Sequence, residues 1–148
     1  IQRSIKGTQY SDSPSRYFYL DGILKASSDS SLVSYESFVH PAMFAHPNPQ
    51  RILMVGTTTG ATVKEILKHQ SVQEVSVVGV DESLLSFAKQ TLRDWNDCSD
   101  IVSIGDSCLE DTRIKSIYEN PKMWLNNFHA MSLGKPTPLY DVILVDFL

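Results

Sequence analysis

The stretch RILMVGTTTGATVKEILKH, residues 51–69, decides the fold. Its first six residues are almost all apolar, as expected of a parallel strand covered on both faces. A turn of small residues follows, Gly56-Thr57-Thr58-Thr59-Gly60. In ATVKEILKH, Val63, Ile66 and Leu67 then fall on one helical face. Strand, tight turn and amphipathic helix together form the opening unit of a nucleoside-binding α/β sheet. The turn reads Gly-x-x-x-Gly, not the Gly-x-Gly-x-x-Gly of dinucleotide enzymes, and it carries three threonines where more glycine or a charge is usual.

Downstream, the same alternation repeats. VSVVGV (75–80) reads as a strand, and DESLLSFAKQTLRDW (81–95) as a helix with Leu84, Leu85, Ala88 and Leu92 on one face. IVSIGD (101–106) reads as the third strand. CLEDTRIKSIYENPKMWLNNFHA (108–130) reads as helical in parts, interrupted at Asn120-Pro121, and YDVILVD (140–146) as the fourth strand. Upstream, Asp21-Gly22 between two apolar runs signals a β-hairpin. SLVSYESFVHPAMFAH (31–46) has helical spacing tempered by Pro41. The expected fold class is α/β: a Rossmann-like parallel sheet of the S-adenosylmethionine-methyltransferase type, preceded by a small N-terminal β-hairpin region. The expected division is residues 1–33 for the hairpin region and 34–148 for the nucleoside-binding domain. Because the sequence stops on an apolar strand, a C-terminal truncation is also expected.

Composition narrows the function. With 148 residues, 42% hydrophobic and 20% charged, the chain reads as one soluble domain with a real core. A formal net charge of −4 argues against a nucleic-acid partner. Cys98 and Cys108 do not make a disulfide framework, and no Cys/His spacing suggests zinc, so a reducing, cytoplasmic setting and no metal are expected. No apolar run reaches bilayer length, so no membrane insertion is expected within the chain. His40, His46, His69 and His129 share no ligand spacing, and Trp95 and Trp124 read as helix packing.

Ligands of such sheets sit beyond the carboxyl ends of the strands. Gly56, Asp81, Asp106 and Asp146 fall at those ends. Gly56 and Gly60 let the backbone approach a ligand closely. Asp81 can accept both ribose hydroxyls, and Asp106 can accept from an adenine amino group. The same carboxylates are placed equally well to cap the helices that follow them.

At this point a resemblance enters. YFYLDGILKASSDSSLVSYESFVHPAMFAH (17–46), then PNPQRILMVG, KEILKHQSVQEV, VDESLLSFAKQ, Gly105-Asp106 and YDVILVD, resemble the spermidine synthase (polyamine aminopropyltransferase) family, most closely its membrane-fused variants. The resemblance covers nearly the whole chain apart from a longer segment at about 111–139. It implies transfer of an aminopropyl group from decarboxylated S-adenosylmethionine to a diamine such as putrescine, in a homodimer. It implies Asp146 as the amine-facing base, Tyr35 in the diamine site, Asp106 at adenine, and Gly56, Thr59, Gly60 and Asp81 around the cofactor. Several positions depart from the family pattern. Thr59 stands where the family's Gly-Gly-Gly-Asp-Gly-Gly loop has its aspartate, so a hydrogen bond to a charged arm, worth roughly 1.5–3 kcal/mol, is lost. The ribose acid falls at Gly79, with Asp81 two residues later on the same strand face, and Lys25 replaces a family glutamine. Two other readings stay open: a catalytically weakened binding or scaffold domain, and a methyltransferase using ordinary S-adenosylmethionine.

Overall fold

The structure, a computed structural model, describes residues 15–28, 31–56, 59–79, 81–101, 107–132 and 139–146. Strands β1 (Tyr17–Leu20) and β2 (Ile23–Ser27) form an antiparallel hairpin whose tight turn places Asp21 and Gly22 at positive φ. Helix α1 (Ser31–Ala45) follows and keeps Pro41 inside it, on an exposed position, so no core packing is lost there. Its Val39 and Met43 are buried against the sheet, each contributing roughly 1.5–3 kcal/mol relative to exposure.

The main sheet contains β3 (Arg51–Gly56), β4 (Glu74–Val78), β5 (Ile114–Ile117) and β6 (Val142–Asp146) in the order β5-β4-β3-β6, all parallel. Alternation along β3 divides the core. Ile52 and Met54 pack into the larger cluster with Val39, Val63, Ile66, Val75 and Leu144. Leu53 and Val55 join Val78 on the opposite face, beneath Trp124 and Tyr140. Helices α2 (Ala61–Leu67), α3 (Glu82–Thr91) and α4 (Arg93–Asn96) lie between β3 and the 3₁₀ turn Cys108–Glu110 that leads to β5, and α5 (Pro121–Ser132) returns the chain to β6. The order of strands reverses between β3 and β6, and this is where an open α/β sheet holds its ligand.

Several expectations change. Ile114–Ile117 is the strand that pairs with β4, not part of a helix. The expected strand at 101–106 has Ile101 in a turn, and its remaining residues lie outside the described ones. Asn120-Pro121, read from sequence as an interruption, is a helix start. The Asn120 side chain accepts from the amides of Lys122 and Met123 at 3.0 and 3.3 Å, and Pro121 opens α5. Cys98 and Cys108, expected to stand apart from any disulfide framework, are bonded to each other.

Buried polar groups on α2 have partners. Glu65, buried, accepts from Lys68 Nζ at 2.8 Å and faces His40 Nε2 at 3.2 Å. His40 Nδ1 lies 2.9 Å from His69 Nε2, and Glu36 approaches Lys68 at 3.8 Å. Burial, with His40 alongside, holds the His69 imidazole below its ordinary value of 6.5, against the opposing charge of Glu65. Protonation at that site is disfavoured in the folded chain but not in the unfolded one. Stability is therefore fully present above pH 6.5 and is lost as pH falls below it toward the depressed folded value. Urea denaturation midpoints should fall on acidification through that range in the native chain, and much less in His69→Gln. An equal pH dependence in the two proteins would remove His69 as its source.

Candidate functional site

The site is built where β3 and β6 end side by side. Asp141, just before β6, accepts the amides of Gln50 at 2.7 Å and Arg51 at 2.8 Å, which fixes the register of the two strands at their start. Five residues on, that register sets Gly56 opposite Asp146. Gly56 has φ +91°, and a β-carbon there would run into the Asp146 carbonyl oxygen, so only glycine lets the turn leave β3.

The turn re-enters helix at Gly60, φ +85°, the N-cap of α2. Thr59 is 1% exposed, and its hydroxyl oxygen accepts from Ala61 N at 3.3 Å. The same Thr59 side chain is hydrogen-bonded to Tyr35 of α1. One turn further along α2, the fully buried Thr62 donates from Oγ1 to Asp146 Oδ2 at 3.3 Å. Each hydroxyl thus satisfies a polar group that burial would otherwise leave orphaned, at a cost of about 1–3 kcal/mol.

Electrostatics follow from that enclosure. Burial pushes the half-buried Asp146 carboxyl above the usual carboxylate value of 3.8, while the Thr62 hydrogen bond and the positive charge of Lys25 pull it back down. Burial also raises the Tyr35 phenol above 10.0, with its Thr59 bond opposing and the Asp146 charge adding to the rise. A carboxylate whose charged form is poorly solvated is stabilised by any cation brought beside it.

Of the residues expected from sequence, Tyr35, Gly56, Thr59, Gly60 and Asp146 come together here. Asp81 stands at the exposed end past β4, and its Oδ1 accepts Leu84 N at 2.9 Å, so it caps α3. Asp106 lies outside the described residues. The described strand next to β4 ends at Ile117 and is followed by Tyr118, Glu119 and Asn120. Thr62, Asn96 and Ser107 were missed: a lone hydroxyl or amide carries no spacing signal, and only the packing of α2 against β6 and the 3₁₀ turn assigns them. Asn120-Pro121, a helix N-cap and first-turn pair, was a usable signal for the start of α5.

A doubly covered parallel sheet with a glycine turn and a half-buried aspartate at its switch point defines an α/β nucleoside-binding domain. Residues 32–148 match the family described as the spermine/spermidine synthase domain, and the chain belongs to that family. It is 30% identical over 128 residues to polyamine aminopropyltransferase 2 of Caldanaerobacter subterraneus subsp. tengcongensis, covering 86% of this chain and 37% of the relative. It is 32% identical over 132 residues to the polyamine aminopropyltransferase of Pyrococcus abyssi, covering 88% of this chain and 42% of that protein. The spermidine synthase from Thermotoga maritima superposes with a TM-score of 0.70 at 27% identity, over 87% of this chain and 39% of that one. A spermidine synthase in complex with the transition-state analogue AdoDATO gives 0.72 at 27% identity, over 89% and 39%. The chain thus spans well under half the length of the curated relatives it matches.

Two glycines separate backbone strain from lack of room. Gly22, at φ +76° with nothing near a β-carbon, should lose about 1–2 kcal/mol on Gly22→Ala from the left-handed conformation alone. Gly56→Ala should lose distinctly more, because the Asp146 carbonyl must also move. Equal denaturation midpoints for the two variants would show that β6 gives way freely at its end.

Proposed function

We propose that the chain forms the cofactor-binding part of an aminopropyltransferase that uses decarboxylated S-adenosylmethionine and a diamine. The observation that carries this reading is Asp146: a half-buried carboxyl at the switch point, bonded to Thr62 and near Tyr35, with its charged form short of solvent. The diamine nitrogen attacks the methylene beside the sulfonium, the carbon–sulfur bond breaks, and methylthioadenosine leaves. The attacking nitrogen must be neutral. An alkylammonium titrates near ~10.4, so presenting it free of its proton at pH 7 costs roughly 4–5 kcal/mol. Asp146 orients the amine and takes that proton, a contribution of about 10²–10⁴ in rate. The raised carboxyl suits this role because it brings acceptor and donor closer in proton affinity.

In the same reading, Gly56, Thr59 and Gly60 pass the backbone beneath the nucleoside, and Tyr35 shapes the diamine site. Asp81 keeps one carboxylate oxygen for the helix cap, leaving the other for a ribose hydroxyl. Asp106 was expected at the adenine amino group; at the end of β5, the exposed Glu119 supplies a carboxylate for that contact. Assembly as a homodimer and placement in the cytoplasm belong to the same proposal. Among the described residues no helix is long and apolar enough to cross a membrane, and no group of histidine, cysteine and acidic side chains could hold a metal ion.

A second reading has a specific observation behind it. Thr59 puts a neutral, buried hydroxyl where a cationic arm would gain from a carboxylate, and the charge of Lys25 already acts on Asp146. That arrangement also admits ordinary S-adenosylmethionine, or a binding domain without turnover. Calorimetric titration of the full chain with the decarboxylated and ordinary cofactors separates the readings. Tighter binding of the decarboxylated form is the expected result, and a preference for the ordinary one would transfer the reading to methyl transfer. Asp146→Asn should abolish aminopropyl transfer to putrescine while leaving nucleoside affinity within a few-fold of the native chain. Unchanged turnover in that variant would sink the base assignment.

A further inference from the structure

The back of the cofactor turn is tied to a disulfide. Cys98 and Cys108 are bonded, ten residues apart in sequence with Cα atoms 5.1 Å apart, and both are fully buried. Beside the bridge, Asp97 and Ser107 form an isolated antiparallel pair. The Ser107 hydroxyl donates to Asn96 Oδ1 at 2.8 Å and accepts from Leu109 N at 3.3 Å. Asn96 Nδ2 in turn lies 3.2 Å from the Thr59 carbonyl oxygen, and 2.9 Å from each of the carbonyl oxygens of Ala88 and Leu92. Gly60 fits so closely against the same group that a β-carbon there would meet Asn96 Cβ at 2.7 Å and the Leu109 side chain at 3.0 Å. Disulfide, Ser107, Asn96 and the Thr59–Gly60 turn therefore form one continuous buried chain of contacts.

Among the described residues, the side-chain bonds of Asn96 and Ser107 run to each other and to Thr59, Ala88, Leu92 and Leu109, so they act on the turn from behind. With Asn96 wholly buried, the Thr59 carbonyl has little access to water in exchange for the amide it would lose. Asn96 is held by Ala88 and Leu92 at its nitrogen and by Ser107 at its oxygen, and Ser107 stays in place because the bridge beside it holds residues 97 and 107 together. We propose that the Cys98–Cys108 disulfide is a redox-sensitive lock on the cofactor turn, with Asn96 as the positioning residue that transmits it to Thr59 and Gly60.

The lock opens by thiol–disulfide exchange with a dithiol. One thiolate of the dithiol attacks a cystine sulfur, the S–S bond breaks and a mixed disulfide forms. The second thiol of the reagent then displaces that sulfur. Cys98 and Cys108 gain two electrons and two protons as thiols, and the dithiol is oxidised to its own disulfide. Because both sulfurs are buried, exchange proceeds through local opening around the bridge. Opening removes the covalent restraint on residues 97 and 107, and with it the fixed aim of Asn96. The consequence for cofactor binding rests on the function proposed above, whereas the coupling between bridge and turn does not.

Two readouts on the full chain, with and without dithiothreitol, test this. The first is hydrogen exchange at the amides of residues 60–62; the second is the affinity for 5′-methylthioadenosine, which carries the nucleoside without any charged arm. Reduction should speed exchange at those amides and weaken binding, each by about tenfold, within the usual range of coupled sites. The C98S/C108S double variant should give the reduced values whether or not dithiol is present. If that variant does not fold, Ser107→Ala carries the same test, since it cuts the link while leaving the bridge intact. Unchanged exchange on reduction overturns the proposal. So does an increase spread evenly over β3, β4 and β6, which would mean general loosening, and so do free thiols at Cys98 and Cys108 in untreated protein. Responsive exchange with no methylthioadenosine binding in either state would uphold the lock and refute the cofactor reading.

Discussion

The parallel ladder between β3 and β6 is the constraint from which the site follows. Its register is fixed where it begins, by the amides of Gln50, just before β3, and Arg51, which donate to the Asp141 carboxylate. Those bonds hold the Asp141 carboxyl below the usual carboxylate value, with the Arg51 amide as the leading cause. A slip of one residue would exchange the buried and outward faces of β6 and turn the Asp146 side chain to the wrong side. With the register as found, Asp146 ends β6 opposite Gly56, and the α2 helix that leaves the turn can reach its carboxylate through Thr62. The glycine is required by the ladder as much as by the turn, because the neighbouring carbonyl leaves no space for a side chain.

The second level of organisation is the handling of buried polar groups around one short helix. Helix α2 buries six of its seven residues, among them Thr62 and Glu65. On one side its hydroxyl goes to the site carboxylate; on the other its glutamate goes to Lys68 and the His40–His69 pair. These partners are worth more by what their loss would cost than by what they add, since an uncompensated buried charge destabilises by several kcal/mol. Such a helix has little freedom to rotate or slide. The turn before it inherits that rigidity from α2 and, through Asn96, from α3 as well. A rigid turn suits a site whose chemistry depends on alignment more than on a dedicated group.

Rigidity of the turn also gives its buried, neutral side chains a structural part. Thr59, neutral and buried, joins the start of α2 to Tyr35.

The sequence by itself determined the alternation of strand and helix, the Asp-Gly hairpin, the glycine turn after β3 and the aspartate ending β6. Each is a local pattern: an apolar run, a period or a backbone conformation that few residues tolerate. The helix-capping reading of Asp81 was legible for the same reason. The third strand was not, because IKSI is short, half polar and followed by a proline that suggested a break rather than a beginning. Its place beside β4 comes from edge pairing, which a four-residue run cannot announce. Thr62, Asn96, Ser107 and the Cys98–Cys108 bridge are likewise absent from any motif. They matter only because folding brings residues 59, 96 and 107 to one buried point and residues 62 and 146 to another. Tertiary structure alone decided these, since the partner of a buried polar group is chosen by proximity and desolvation, neither of which has a period in the chain.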